Sequence, residues 1–159
     1  MGNPQKAAEY YERALALKAD YPGAHNNLGA VLLELGRPHE AIEHFEQALR
    51  LKPDDANAHY NLASTLMNIG RPRDAVDHFQ AALRLNPGDA RARFSCATAY
   101  ARSDQPSEAV AMAEGALARA RSDGDGALAD EIEAWLRSYR AAPTTERVPK
   151  DRSPGRSSR

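Results

Sequence analysis

Two stretches of this chain repeat each other 34 residues apart. GRPHEAIEHFEQALRLKPDD, residues 36–55, and GRPRDAVDHFQAALRLNPGD, residues 70–89, share twelve of twenty letters. Pro4, Pro38, Pro72 and Pro106 keep the spacing of 34, as do Ala7, Ala41, Ala75 and Ala109. A period between about 20 and 50 residues marks a solenoid or array, because a unit that short cannot bury its apolar face alone and must stack on its neighbours.

Within units 22–55, 56–89 and 90–123, apolar or small residues stand at positions 4, 7, 8, 11 and 14 of each first half. At about 100° per residue these share one helical face. They are His25, Leu28, Gly29, Leu32 and Leu35 in the first unit, and His59, Leu62, Ala63, Leu66 and Ile69 in the second. A break follows, Gly36-Arg37-Pro38 or Gly70-Arg71-Pro72. Glycine ends one helix there and proline opens the next, where its missing N–H costs nothing. The second halves are expected to bury Ala41, Phe45, Ala48, Leu49 and Leu51, then Ala75, Phe79, Ala82, Leu83 and Leu85, before Pro53 and Pro87 close the units. Each unit therefore reads as a helical hairpin. Ten aromatics in 159 residues, with abundant alanine, favour thin helix packing and exclude sandwiches and barrels.

This pattern resembles the tetratricopeptide repeat. The first unit carries Leu28, Gly29, Ala41, Phe45, Ala48 and Pro53 at signature positions, and the second Leu62, Ala75, Phe79, Ala82 and Pro87. The third keeps Tyr100, Ala109 and Ala116, but has Asp104 for the break glycine, Ala113 for the phenylalanine and Arg121 for the closing proline. The resemblance implies an all-α fold, a right-handed α-solenoid of helix-turn-helix repeats with a C-terminal capping helix. Residues 1–21 match only a second helix, with Ala7, Tyr11, Ala14 and Leu17 in register; 90–123 is a degenerate third repeat. Residues 124–142 read as the cap, with Leu128, Ile132, Trp135, Leu136 and Tyr139 along one face, and 143–159 as a disordered basic tail. A start in mid-repeat is expected to reflect a longer native chain, or else an open apolar edge prone to self-association.

Charge and motif searches exclude most chemistry. The net charge is −1, and the tail holds five basic residues against two acidic, leaving residues 1–142 at −4. Nucleic-acid binding rests on clustered Lys and Arg, so no nucleic-acid partner is expected. No apolar run approaches a membrane span, the N-terminus lacks a secretion signal, and Lys6 stands where a myristoylation signal wants Ser or Thr. A cytoplasmic protein without a membrane partner is expected. Cys96, the single cysteine, reads as a small buried residue.

HEAIEH, residues 39–44, spaces its histidines i to i+5, about 140° apart on the wheel, where a zinc helix needs i to i+4. His39 and His44 are therefore expected on the surface, and His25 and His59 in or beside the core. SDGDGALADEIE lacks the EF-hand glycine and final glutamate, so Asp123 and Asp125 are read as helix-starting carboxylates. With no phosphate loop and no nucleophile motif, the chain is not expected to be an enzyme, to carry a metal or to need a cofactor.

Binding is expected on the face of the first helices opposite the core, which in the repeat family lines the concave surface. The resemblance places Asn26, Asn27, Leu33 and Glu34 there in the first unit, with Asn57, Tyr60, Asn61, Ser64, Met67 and Asn68 in the second. The third adds Arg91, Phe94, Ser95, Thr98 and Arg102. An asparagine amide both donates and accepts, matching any peptide bond, so Asn27 and Asn61 are candidates to grip an extended backbone. Their arrangement is similar to the asparagine ladder in the repeat region of O-GlcNAc transferase, with Ser95 interrupting it. Tyr60, Phe94, Leu33 and Met67 offer apolar anchoring. Arg91 and Arg102 favour an acidic residue, while Glu34 disfavours one. The clamp by which chaperone adaptors hold a carboxylate tail is not matched, because Asn26 and Ser95 stand where it has basic residues. The expected function is a protein-interaction module docking a peptide or helix in the groove. The alternatives are the substrate-selecting arm of a larger enzyme, such as a glycosyltransferase, and a self-assembling scaffold.

Overall fold

Proline opens five of the helices seen in the computed structural model, which describes residues 3–142. In order they are α1 (Pro4–Leu17), α2 (Pro22–Glu34), α3 (Pro38–Leu51), α4 (Ala56–Asn68), α5 (Pro72–Leu85), α6 (Ala90–Arg102), α7 (Pro106–Asp123) and α8 (Gly126–Ala141). Among the described residues there is no strand. Where proline is missing, a carboxylate caps the start. Asp55 accepts from the N–H groups of Asn57 and Ala58, Asp89 from that of Ala92, and Asp125 from that of Leu128. Asp123 instead ends α7, paired with Arg119 at 2.7 Å.

The hairpin breaks use left-handed residues. Gly36 and Gly70 have φ of 71° and 81°, and the next N–H groups, on Arg37 and Arg71, return to the carbonyls of Leu32 and Leu66 at 2.9 and 2.8 Å. That six-to-one bond closes the helix end with one residue in the left-handed region. In the third hairpin Asp104 takes the glycine's place at φ 63°, and Gln105 donates to Tyr100 at 3.0 Å. The turn survives the loss of the residue that makes it easy. Without a closing proline, α7 runs for 18 residues where α3 and α5 run for 14.

Helices α2 and α3, α4 and α5, and α6 and α7 pack as hairpins, and each stacks on the next. Ala41, Ala75 and Ala109 are fully buried at equivalent sites. A Cβ added to Gly29 would lie 2.6 Å from the ring of Phe45, so bare glycine is what admits that ring. One apolar cluster extends from α1 to α7, and a second joins α6, α7 and α8 through Ile132, Leu136 and the alanines of α7. Cys96 is buried, and burial pushes its thiol up to about 11, which removes the reactive thiolate at neutral pH.

Burial of the second helices falls short of the expectation at three leucines, of which Leu49 is half-buried at the edge of the long cluster. Leu85 is exposed and Leu51 only half-buried, because both sit on the last residue of a second helix, where the chain turns away from the stack. Leu17, their equivalent in α1, is 91% exposed. The basic tail expected at 143–159 lies outside the described residues. No described helix is long and apolar enough to cross a membrane.

Candidate partner-binding groove

The first helices of the three units, α2, α4 and α6, lie side by side, joined by a recurring contact. Position 5 of one unit meets position 6 of the next: Asn61 Nδ2 donates to Asn26 Oδ1 at 3.1 Å, and the Tyr60 hydroxyl lies 3.5 Å from Ser95 Oγ. At the third rung Phe94 meets the edge of Trp135 from α8, ring centres 5.7 Å apart. The asparagine rung therefore joins Asn61 to Asn26, and not to Asn27. Asn27 is exposed and its amide has no partner among the described residues, whereas Asn61 is half-buried with one N–H already donated.

Two residues expected in the groove lie in the core instead. Met67 is 8% exposed, packed into the long apolar cluster, and Phe94 is 7% exposed because the indole of α8 covers it. Neither is open to anchor a partner. Tyr60 remains half-buried, its ring edge-on to Phe79 at 5.6 Å. Leu33, Ser64, Ser95 and Thr98 are half-buried, with Thr98 Oγ1 donating to the carbonyl of Ser95 at 2.8 Å. Glu34, Asn57, Asn68, Arg91 and Arg102 are exposed, and none of these five side chains has a hydrogen bond or ion pair among the described residues.

A cleft of about 410 Å³ opens where the N-terminal ends of α4 and α6 meet the C-terminal end of α5. Asn57, Tyr60 and Arg91 line it, and so do Ala82, Asn86 and Asp89. Those three belong to the second helix and the connection after it, which a helical wheel of first helices does not include. The Asp89 carboxylate accepts its capping bond from Ala92, so the charge at the rim that makes no hydrogen bond or ion pair among the described residues is Arg91.

Two family profiles described as tetratricopeptide repeat match, one at residues 1–54 and again at 20–86, the other at 60–125. The chain belongs to the tetratricopeptide-repeat family. No curated protein sequence matches it. Solved structures share the fold. A structure of MamA protein aligns with TM-score 0.72 at 24% identity, covering 79% of this chain and 68% of that one. A second MamA structure gives TM-score 0.68 at 21%, covering 87% and 86%. YrrB, described as a TPR protein with an unusual peptide-binding site, gives TM-score 0.72 at 25%, covering 82% of this chain and 66% of that one. The tetratricopeptide array here is thus a helical solenoid of the form those proteins share.

Proposed function

We propose that the array is a protein-interaction module that docks an extended segment of a partner along α2, α4 and α6, seated in the cleft at Tyr60. One observation carries this reading: Tyr60 lines a cleft together with two exposed polar side chains, Asn57 and Arg91, that have no hydrogen bond or ion pair among the described residues. An amide suits a peptide backbone of any sequence, a guanidinium selects a carboxylate, and a half-buried tyrosine supplies the apolar contact where interface energy concentrates. Arg102 repeats the positive charge at the other end of α6, so an acidic side chain is favoured there also. That YrrB is described as having an unusual peptide-binding site supports the reading.

Asn27, with its unspent amide, replaces the Asn27–Asn61 pair as the backbone-gripping candidate of the first unit. Selection from a displayed library of random peptides tests the whole. The wild-type array enriches segments with an acidic residue, and Arg91→Glu and Tyr60→Ala each weaken a selected peptide by at least about tenfold, or ~1.4 kcal/mol. His39→Ala, on an exposed second-helix position, leaves it unchanged. Equal affinity across all four proteins would remove the groove from consideration. Tyr10, 70% exposed, and Leu17 on α1 favour a second reading, self-association through that helix. Sedimentation mass rising with concentration, and reset to monomer by Tyr10→Glu, is its test.

A further inference from the structure

Position 4 of every unit answers one carbonyl of the connection before it. His25 Nε2 lies 3.1 Å from the oxygen of Ala19, and His59 Nε2 3.0 Å from that of Pro53. In the third unit Arg93 takes the place, donating through a terminal nitrogen to Pro87 at 2.9 Å. In the first two units the same ring has a second partner on the facing helix. His25 Nδ1 is 2.9 Å from His44 Nδ1, and His59 Nδ1 is 3.1 Å from His78 Nδ1, with the rings tilted by 32° and 33°. Met112 stands where a third such partner would be. His44, expected on the surface, is instead half-buried in the hairpin seam.

The protons can be counted. A carbonyl only accepts, so Nε2 of His25 carries a hydrogen, and a neutral His25 then offers a bare Nδ1. His44 must donate from its own Nδ1. One added proton leaves the contact intact, since a charged His25 donates to a neutral His44. A second proton sets two N–H groups of two cations face to face, and no hydrogen bond survives. The same count holds for His59 and His78.

We infer that the two histidine pairs are acid-sensitive clasps, each tying both helices of its hairpin to the preceding connection while no more than one proton is shared, and releasing them when both rings are charged. The third joint has none, because the Arg93 guanidinium stays charged and Met112 does not titrate. Acid therefore loosens the array from its N-terminal side and spares the α5–α6 joint.

Burial, and after it the facing imidazole, hold His44 and His78 below the ordinary histidine range. Carboxylates oppose this: Glu12 from α1 with Glu40 and Glu43 of α3 around His44, and Glu46 from α3 with Asp74 and Asp77 of α5 around His78. Because the closed form keeps these rings neutral, its stability is complete above the ordinary pKa of about 6.5. It falls as pH drops below that, and levels off once the lowered folded value is passed. Each ring contributes at most about tenfold per pH unit in the opening equilibrium. Their partial exposure keeps the effect under that ceiling. Zinc takes three or four protein ligands, and among the described residues no group of three or more His, Cys, Asp or Glu side chains converges. The ligand argued is the proton.

Native-state hydrogen exchange at pH 7.5 and 5.5, corrected for intrinsic rates, reads the three joints within one molecule. Opening at residues 18–25 and 52–59 is expected to rise by about threefold to tenfold over that at 86–93. In His44→Asn with His78→Asn, the amide donates to the facing ring without titrating as imidazole does, and the difference between joints disappears. Uniform change across all three joints, or none, overturns the clasp. So does stabilisation by zinc chloride at pH 7.5 that the double variant lacks. Should the variant fold poorly, the comparison of joints in the wild-type chain decides alone.

Discussion

The first two hairpins and the third solve one packing problem with different atoms. In α2/α3 and α4/α5 a phenylalanine, Phe45 or Phe79, fills the seam against glycine or alanine, and a histidine pair closes its edge. In α6/α7 the phenylalanine is Ala113, the histidines are Arg93 and Met112, and Ala97, Ala113, Ala116 and Ala120 are fully buried. Yet the turn, the carbonyl contact six residues upstream and the buried alanine of the signature all persist. Backbone geometry is what the repeat preserves, and side-chain chemistry is what it varies. The third unit is free to vary because α8, with Trp135 and Ile132, covers its far side.

The largest break in that comparison comes from emptying a ring-filled seam. Phe45→Ala is expected to cost about 3–5 kcal/mol by urea unfolding, since the ring is fully buried in the apolar cluster and packed onto the bare backbone of Gly29. A loss within about 0.5 kcal/mol, as for a surface residue, would mean the first seam is not ring-filled in solution. Next, Ala75→Leu should cost about 1–3 kcal/mol by overpacking at a site with no exposure. Ala109→Leu should match it if the third hairpin keeps the same approach of its helices. An unchanged melting temperature for either would separate the units.

How far all this could be read from the letters follows from the same division. Gly36, Gly70, the prolines and Ala41 report backbone constraints, which are local and repeat with the chain, so the hairpins were legible. Contacts between units were not. A helical wheel sets Met67 and Phe94 on one face with the groove candidates, but cannot show that Met67 packs into the long apolar cluster or that the indole of α8 meets Phe94. It gives Asn27 and Asn61 one face, while the stagger between stacked helices pairs Asn61 with Asn26. The spacing within HEAIEH relates His44 only to His39 on its own helix, and its partner lies 19 residues away on another. A signal was present all the same: His25 and His44 recur together as His59 and His78, and both are replaced together in the third unit.

That joint replacement can be reversed. Arg93 reaches Pro87 but leaves its own buried Nε without a partner among the described residues, so the third unit keeps the carbonyl contact at a cost the histidines avoid. Arg93→His with Met112→His should install a third clasp, and the melting temperature should then fall more steeply between pH 6.5 and 5.5 than in wild type. The added slope is at most about tenfold per pH unit in unfolding for each titrating ring. Parallel melting curves for the two proteins would show that the seam of α6 and α7 is too differently shaped to hold facing imidazoles.

The smallest effect concerns Asp104, the one described non-glycine residue with positive φ. A side chain in that region crowds its own carbonyl, whereas glycine does not, and Gly36 and Gly70 occupy the same turn unstrained. The Asp104 carboxylate is exposed and makes no hydrogen bond or ion pair among the described residues, so removing it forfeits no contact. Glycine brings more freedom to the unfolded chain, which offsets part of the relief. Asp104→Gly is therefore expected to raise stability by about 0.5–1 kcal/mol in chemical unfolding. A net loss would show that the third turn is held by something other than the bond from Gln105 to Tyr100, and that its likeness to the first two ends at the backbone trace.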